Sequence, residues 1–284
     1  METVLLKGKP VADNICASIV GEIERLKADS VEPCLAIVRV GQKPDDIYYE
    51  SGATKRMQSV GIKVKSVVLD AEVSQSELED AVSALSNDAS VHGILLLMPL
   101  PRHIDEKRIK SLICPEKDID GLTDGSMVGL YAGTGEGFAP CTPSAVMELL
   151  DFNCIDVCGK NVVIVGRSLV VGKPQAMLML EKNATVTVCH SKTKDLKSVC
   201  RGADILVAAV GRARMINKDH VKNGAVVVDV GINQDENGAM CGDVDTESVM
   251  GIASKVTPVP GGVGSITTSV LAKHVVEAAK RITR

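Results

Sequence analysis

Apolar positions along the chain follow two alternating rhythms. Val11, Ile15, Ile19, Ile23 and Leu26 recur at the spacing of one helix face and predict an amphipathic helix over residues 11–27. A short, mostly apolar run over 34–40 predicts a buried strand. The alternation continues with a helix over 47–60, a strand over 64–69, a helix opened by the capping-box pattern Ser74-Gln-Ser-Glu77, and a strand over 92–98. Strands alternating with helices imply a mainly parallel sheet with its ligand site at the carboxyl ends of the strands.

The stretch YAGTGEGFAPCTP, residues 131–143, is dense in Gly and Pro and interrupts this periodicity, which places a domain boundary there. A second series follows, with β-branched strands over 161–165, 185–189, 205–209 and 225–230 separated by helix-length segments. The expected fold class is therefore α/β with two domains. Residues 1–140 form the first, with a helix within 266–284 returning to it, and residues 141–265 form a Rossmann-type domain.

Composition narrows the functions. Hydrophobic residues make up 45% of the chain and aromatics only 2%, with no Trp, so the cores are built from aliphatic side chains and no aromatic platform exists for bases. A formal charge of −4 with scattered Lys and Arg excludes nucleic acid as an expected partner. Nine cysteines lie singly, and METVLLKGKP lacks the apolar run of a signal peptide, so reduced thiols in the cytoplasm are expected. Cys154 and Cys158 form the closest pair, with no second pair or nearby histidine to complete a metal site, and none is expected. No segment offers the roughly 18 apolar residues that a membrane span needs.

Four segments carry candidate chemistry. Gly166-Arg-Ser-Leu-Val-Val-Gly172 follows a strand, where backbone amides can cradle a pyrophosphate; a plain tight turn is the competing reading, because Ser168 stands where a second glycine is usual. The next strand ends in Cys189-His-Ser-Lys-Thr193 rather than in the acid that holds the ribose of NAD. Arg167, Ser168, Ser191 and Lys192 supply donors for an additional phosphate, which favours NADP over NAD. In PEKDIDG, residues 115–121, Asp118 and Asp120 alternate across an apolar residue; at least one faces a cleft, or both sit in a solvated turn. The TPVPGGVG run, residues 257–264, is expected to lack regular structure, suited to close approach of a flat ligand or to an ordinary loop.

These segments together resemble the methylenetetrahydrofolate dehydrogenase/cyclohydrolase family over essentially the whole chain. The resemblance rests on VGQKPDDIYY before and at Tyr49, GILLLMPLP at 93–101, KDIDG at 117–121, APCTP at 139–143, VGRSLVVGKP at 165–174, CHSKT at 189–193, GDV at 242–244 and TPVPGGVG. It implies an N-terminal folate-binding domain, a Rossmann domain binding NADP, a folate cleft between them, a homodimer and a tetrahydrofolate derivative as substrate. Tyr49 would stack on the folate, Asp120 would hydrogen-bond the pterin, and Met98, Pro260, Gly264 and Thr268 would join them at the substrate. Gly166, Arg167, Ser168, Gly172, Ser191, Lys192 and Ile232 would hold the cofactor, with His190 at its phosphate.

The chain departs from that family where the methenyl product is hydrolysed. The family's Tyr-x-x-x-Lys pattern carries the central lysine of the cyclohydrolase, and here that position is Ala53. Lys55 matches a second lysine of the motif, and six positions beyond Tyr49 it points about 120° away on a helix. The glutamine partner of the catalytic lysine falls on Leu97. Hydrolysis needs a poised acid/base group, whereas hydride transfer needs alignment and tolerance of a cation, which Asp120 can help neutralise. The expectation is a dehydrogenase with weak or absent cyclohydrolase activity; a fully bifunctional enzyme and a non-catalytic folate or nucleotide regulator are the alternatives. Ala145 and Ser265 also replace a family glycine and proline without removing an obvious chemical group.

Overall fold

The computed structural model describes residues 2–282, and the chain divides into two compact units. One comprises residues 13–141 with the segment from Thr268 onward; the other comprises the segment up to Ala12 with Thr142–Thr267. The elements in chain order begin β1 (Val4–Leu5), α1 (Gly8–Ala28), β2 (Cys34–Val40), α2 (Pro44–Val60), β3 (Lys63–Leu69), α3 (Gln75–Asn87), β4 (Gly93–Leu96), α4 (Glu106–Lys110), α5 (Asp124–Ala132) and α6 (Cys141–Phe152). They continue β5 (Asn161–Val165), α7 (Gly172–Glu181), β6 (Thr185–Cys189), α8 (Leu196–Arg201), β7 (Ile205–Ala208), β8 (Val226–Asp229), β9 (Asn233–Gln234), β10 (Met240–Cys241), α9 (Thr246–Val249), β11 (Lys255–Val256) and α10 (Thr267–Ile282). No helix among the described residues is long and apolar enough to cross a membrane.

In the unit holding residues 13–141, a parallel sheet runs β3-β2-β4. The central strand is apolar because both of its faces are covered. Ala36, Val38 and Val40 join Leu78, Val82 and Ile94 in one cluster, while Leu35 and Ile37 are fully buried on the opposite face. Edge strand β3 leaves Lys63, Lys65 and Ser66 exposed, together with the apolar Val68. The capping box at α3 forms as expected: Ser74 Oγ accepts from the Glu77 N–H at 3.3 Å, and Glu77 Oε2 accepts from the Ser74 N–H at 3.0 Å. Strand β4 is shorter than the apolar run. Leu97 still donates its N–H to Val38 at 3.0 Å, but Pro99 has no N–H to continue the ladder.

The other unit contains a six-stranded sheet in the order β1-β11-β8-β7-β5-β6, parallel throughout. The chain leaves β5 for β6 on one side and returns to β7 on the other, which makes the carboxyl ends of β5 and β7 the switch point of the sheet. Val163, Val165, Leu206, Ala208 and Val227 pack its core.

Residues 1–12, assigned by sequence to the first domain, correct that assignment. Val4 and Leu5 pair with Lys255 and Val256, and Leu6 is buried at 1% exposure, so the segment up to Ala12 belongs with the Rossmann sheet. A two-residue strand carries no periodic signal, and its partner lies at the far end of the sequence. The TPVPGGVG run also holds more structure than expected, since Val263–Ser265 forms one 3₁₀ turn. Helices α4, α5, α6 and α9 have no counterpart in the sequence reading.

Burial separates two strand positions of the same sheet. Ile37→Ala, at 0% exposure, is expected to lower the unfolding free energy by about 2–5 kcal/mol in denaturant titrations. Val68→Ala, at 48% exposure, is expected to cost less than about 1 kcal/mol.

Candidate active site

The loops after β5, β6 and β7 enclose a cavity of about 470 Å³ at the switch point. Gly166, Arg167 and Ser168 line it from the first loop, His190, Ser191 and Thr193 from the second, and Ala209, Val210, Arg212 and Met215 from the third. Gly166 has φ 135°, which L side chains rarely adopt, and a Cβ there would run into the Ala209 carbonyl. A Cβ on Gly172, the first residue of α7, would run into the Gly166 carbonyl, so the strand-to-helix turn closes only without side chains. Ser168 Oγ accepts the N–H groups of Val171 and Gly172 at 3.1 and 3.4 Å, which leaves its own proton for a phosphate oxygen. The second loop is a tight turn: the His190 N–H donates to Thr193 Oγ1 at 2.9 Å, and the Lys192 N–H donates to His190 Nδ1 at 3.1 Å.

The donor set therefore fits a dinucleotide that carries an additional phosphate. Of the seven residues expected at a cofactor, Gly166, Arg167, Ser168 and Ser191 line this cavity; Gly172 shapes the turn from behind, and Lys192 and Ile232 are not part of the lining. His190 lines it too. Sequence reasoning missed Thr193, Arg212 and Met215; AVGRARM, residues 209–215, follows a strand in the same way as the GRS loop but lacks a glycine pattern to mark it.

Behind the third loop lies a buried carboxylate pair. Asp243, fully buried, accepts the N–H groups of Val210, Gly211 and Arg212 at 2.6, 3.1 and 2.8 Å and the Asn233 side-chain amide at 2.9 Å. Asp229, at the end of β8, accepts the N–H groups of Gly231, Asp243 and Val244 at 2.9, 3.0 and 2.9 Å. The GDV segment singled out in the sequence is thus structural support for the cavity wall. A Cβ on Gly242 would occupy the place of the Asp229 carboxylate.

In the unit holding residues 13–141, Tyr49 is half-buried on α2, and Ala53, one turn on along the same face, is completely buried. Lys55 is exposed. Leu97 is buried at 7% exposure beyond the end of β4, followed by half-buried Met98 and a cis Met98–Pro99 bond. Lys43, preceding α2, donates to the Pro99 carbonyl at 2.7 Å, which ties the α2 entry to this loop. The KDIDG loop divides its labour. Lys117 is buried and donates to the carbonyls of Ser86 and Asp88 at 2.8 and 2.7 Å, and Asp118 accepts the N–H groups of Leu122 and Thr123 at 2.8 and 2.7 Å. Asp120 accepts the Cys141 N–H at 3.0 Å. Burial raises its pKa, the Cys141 N–H and thiol oppose that, and Asp118 adds to it.

Thr268 is half-buried at the start of α10, and Pro260 and Gly264 are exposed in the other unit. The structure brings Gly264 beside Ile232, whose Cδ1 would lie 3.6 Å from a Cβ at that glycine, and leaves Ile232 66% exposed. Among the described residues, no group of three or more His, Cys, Asp and Glu is arranged to hold a metal. His92 accepts the Cys34 N–H at 3.2 Å, and His274 lies 2.8 Å from the Ile119 carbonyl, so both serve the fold.

The carboxylate pair gives a signed pH dependence. Burial, reinforced by Asp243, pushes Asp229 up from 3.8 to about 6 against its three N–H donors. The folded chain then holds this proton more tightly than the unfolded one, so the associated stability is present below the ordinary carboxylate range and is lost as pH rises through about 6. Relative to Asp229→Asn, the wild-type unfolding free energy is expected to fall between about pH 4 and pH 6, by at most about 3 kcal/mol, and to level off above. Denaturant titrations at each pH check this; parallel profiles would contradict it.

Comparison with known proteins agrees with this geometry. Residues 6–120 match the family model for the tetrahydrofolate dehydrogenase/cyclohydrolase catalytic domain, and residues 140–283 match that of the NAD(P)-binding domain. The bifunctional protein FolD of Carboxydothermus hydrogenoformans is 53% identical over 277 residues, covering 97% of this chain and 96% of that protein. The crystal structure of the bifunctional FolD methylenetetrahydrofolate dehydrogenase/cyclohydrolase from Campylobacter jejuni superposes with a TM-score of 0.95 at 42% identity, covering 98% of this chain and 99% of that one. A Trypanosoma brucei FolD, solved with NADP cofactor and inhibitor, gives a TM-score of 0.93 at 36% identity and covers 100% and 99% of the two chains. Two family domains in the same order and near-complete coverage by relatives place this chain in the tetrahydrofolate dehydrogenase/cyclohydrolase family.

Proposed function

We propose that the chain is an NADP-dependent methylenetetrahydrofolate dehydrogenase whose cyclohydrolase activity is weak or absent. The observation that carries the second half is apolar burial where hydrolysis needs a proton carrier: Ala53 is 0% exposed and Leu97 7%. Neither side chain can gain or lose a proton, and Lys55 lies exposed off the face that Tyr49 shares with Ala53. Arg56, the next cation along α2, donates to Cys16 Sγ at 3.4 Å.

Hydride transfer asks less of the chain. NADP, when bound, accepts the hydride. Tyr49 supplies a face for stacking the folate, and Asp120, destabilised as an anion by burial, gains most from the positive charge that forms on the folate as the hydride leaves. Arg167, Ser168 and Ser191 hold the cofactor phosphates. We also infer a homodimer, as the family resemblance implies, and a cytoplasmic location, the latter in keeping with nine free cysteines. A fully bifunctional enzyme is the second reading, favoured by the names of the relatives.

Purified protein given methylene-tetrahydrofolate and NADP is expected to accumulate methenyl-tetrahydrofolate in step with NADPH, measured by absorbance against a blank that corrects for spontaneous hydrolysis. Consumption of methenyl-tetrahydrofolate faster than the blank would establish the bifunctional reading instead. Installing the missing pair, Ala53→Lys with Leu97→Gln, is expected to raise methenyl hydrolysis at least about tenfold while NADPH formation stays within a few-fold.

A further inference from the structure

Arg212 belongs to no motif in the sequence, yet it lines the cavity together with Arg167 and Ser191. Its backbone is fixed: the three consecutive N–H groups of residues 210–212 all point at the Asp243 carboxylate, at 2.6–3.1 Å. Such a run of amides can bind a ligand anion, but here an internal carboxylate fills it. The third loop therefore offers the cavity the Arg212 side chain rather than its amides.

The surrounding charges favour that use. The cavity lining contains Arg167 and Arg212 and no Asp or Glu. Nearby Arg214 is engaged with Asp235 at 3.4 Å, whereas neither Arg167 nor Arg212 makes an ion pair among the described residues. Leu196 and Met215 give the same wall an apolar part, suited to the adenine that accompanies a ribose at the end of β6.

We propose that Arg212 is a second phosphate-recognising arginine, acting with Arg167 and Ser191 on the phosphate of the adenosine ribose and so setting the preference for NADP over NAD. The proposal rests on the reading of this cavity as the cofactor site. A planar guanidinium from a separate loop adds a charge-assisted contact that a ribose hydroxyl cannot repay, so its loss falls on one cofactor only.

The test is direct binding, read from nicotinamide fluorescence on titrating wild type, Arg212→Gln and Arg212→Lys with NADPH and with NADH. Arg212→Gln leaves the backbone bonds to Asp243 in place and is expected to weaken NADPH binding about tenfold or more, with NADH binding within about twofold and the thermal midpoint unchanged. Arg212→Lys is expected to recover part of the loss. Equal weakening of both cofactors would assign Arg212 to the adenine or the pyrophosphate and overturn the proposal, as would unchanged binding of both. If wild type binds neither cofactor, the reading of the cavity itself fails; if wild type binds NADPH and Arg212→Gln binds it equally well, only the role of Arg212 fails.

Discussion

Two buried carboxylates hold the carboxyl edge of the six-stranded sheet together. Asp229 ends β8 and collects N–H groups from residues 231, 243 and 244; Asp243 then collects those of residues 210–212 and the Asn233 amide. Irregular backbone between parallel strands has donors that no ladder can satisfy, and a carboxylate with several lone pairs can satisfy a cluster of them at one point. The cost is desolvation of two neighbouring anions, visible in the raised Asp229 pKa. What the fold obtains is a fixed wall for the cavity, because the loop that contributes Ala209, Val210 and Arg212 cannot move without orphaning three amides.

The strand-to-helix turn after β5 departs from the usual glycine spacing through bonds of its own. Ser168 replaces a glycine, but its hydroxyl accepts the first N–H groups of the α7 entry and steadies a turn that glycine would leave looser. Only Gly166 and Gly172 remain obligatory, since a carbonyl occupies the place of a Cβ at each. The signal in the sequence was therefore weaker than the geometry it encodes.

Much of the fold was legible. The strands at Asn161–Val165 and Thr185–Cys189 coincide with their expected bounds, because β-branched runs between helix-length segments leave little choice of period. The Ser74 capping box was legible for the same local reason. What stayed hidden depended on distant partners: β1 is two residues that matter only through β11, and Asp243 reads as any acid until its loop partners are known. In KDIDG the alternation of Asp118 and Asp120 was visible, but only the fold shows that Asp118 closes a turn and Lys117 ends α3.

The apolar residues at positions 53 and 97 follow a related logic of pairs. In the family that the sequence resembles, the lysine of α2 and the glutamine of the loop after β4 are partners. Removing one partner from a buried polar pair leaves the other without its hydrogen bond, at a cost of about 1–3 kcal/mol, whereas replacing both with apolar groups is close to neutral. Ala53 and Leu97 are both apolar and both buried, so neither leaves a buried polar partner unsatisfied at the other position. Hydride transfer asks for alignment and charge balance, whereas hydrolysis asks for a proton carrier, so apolar residues at these two positions bear on the second reaction and not on the first.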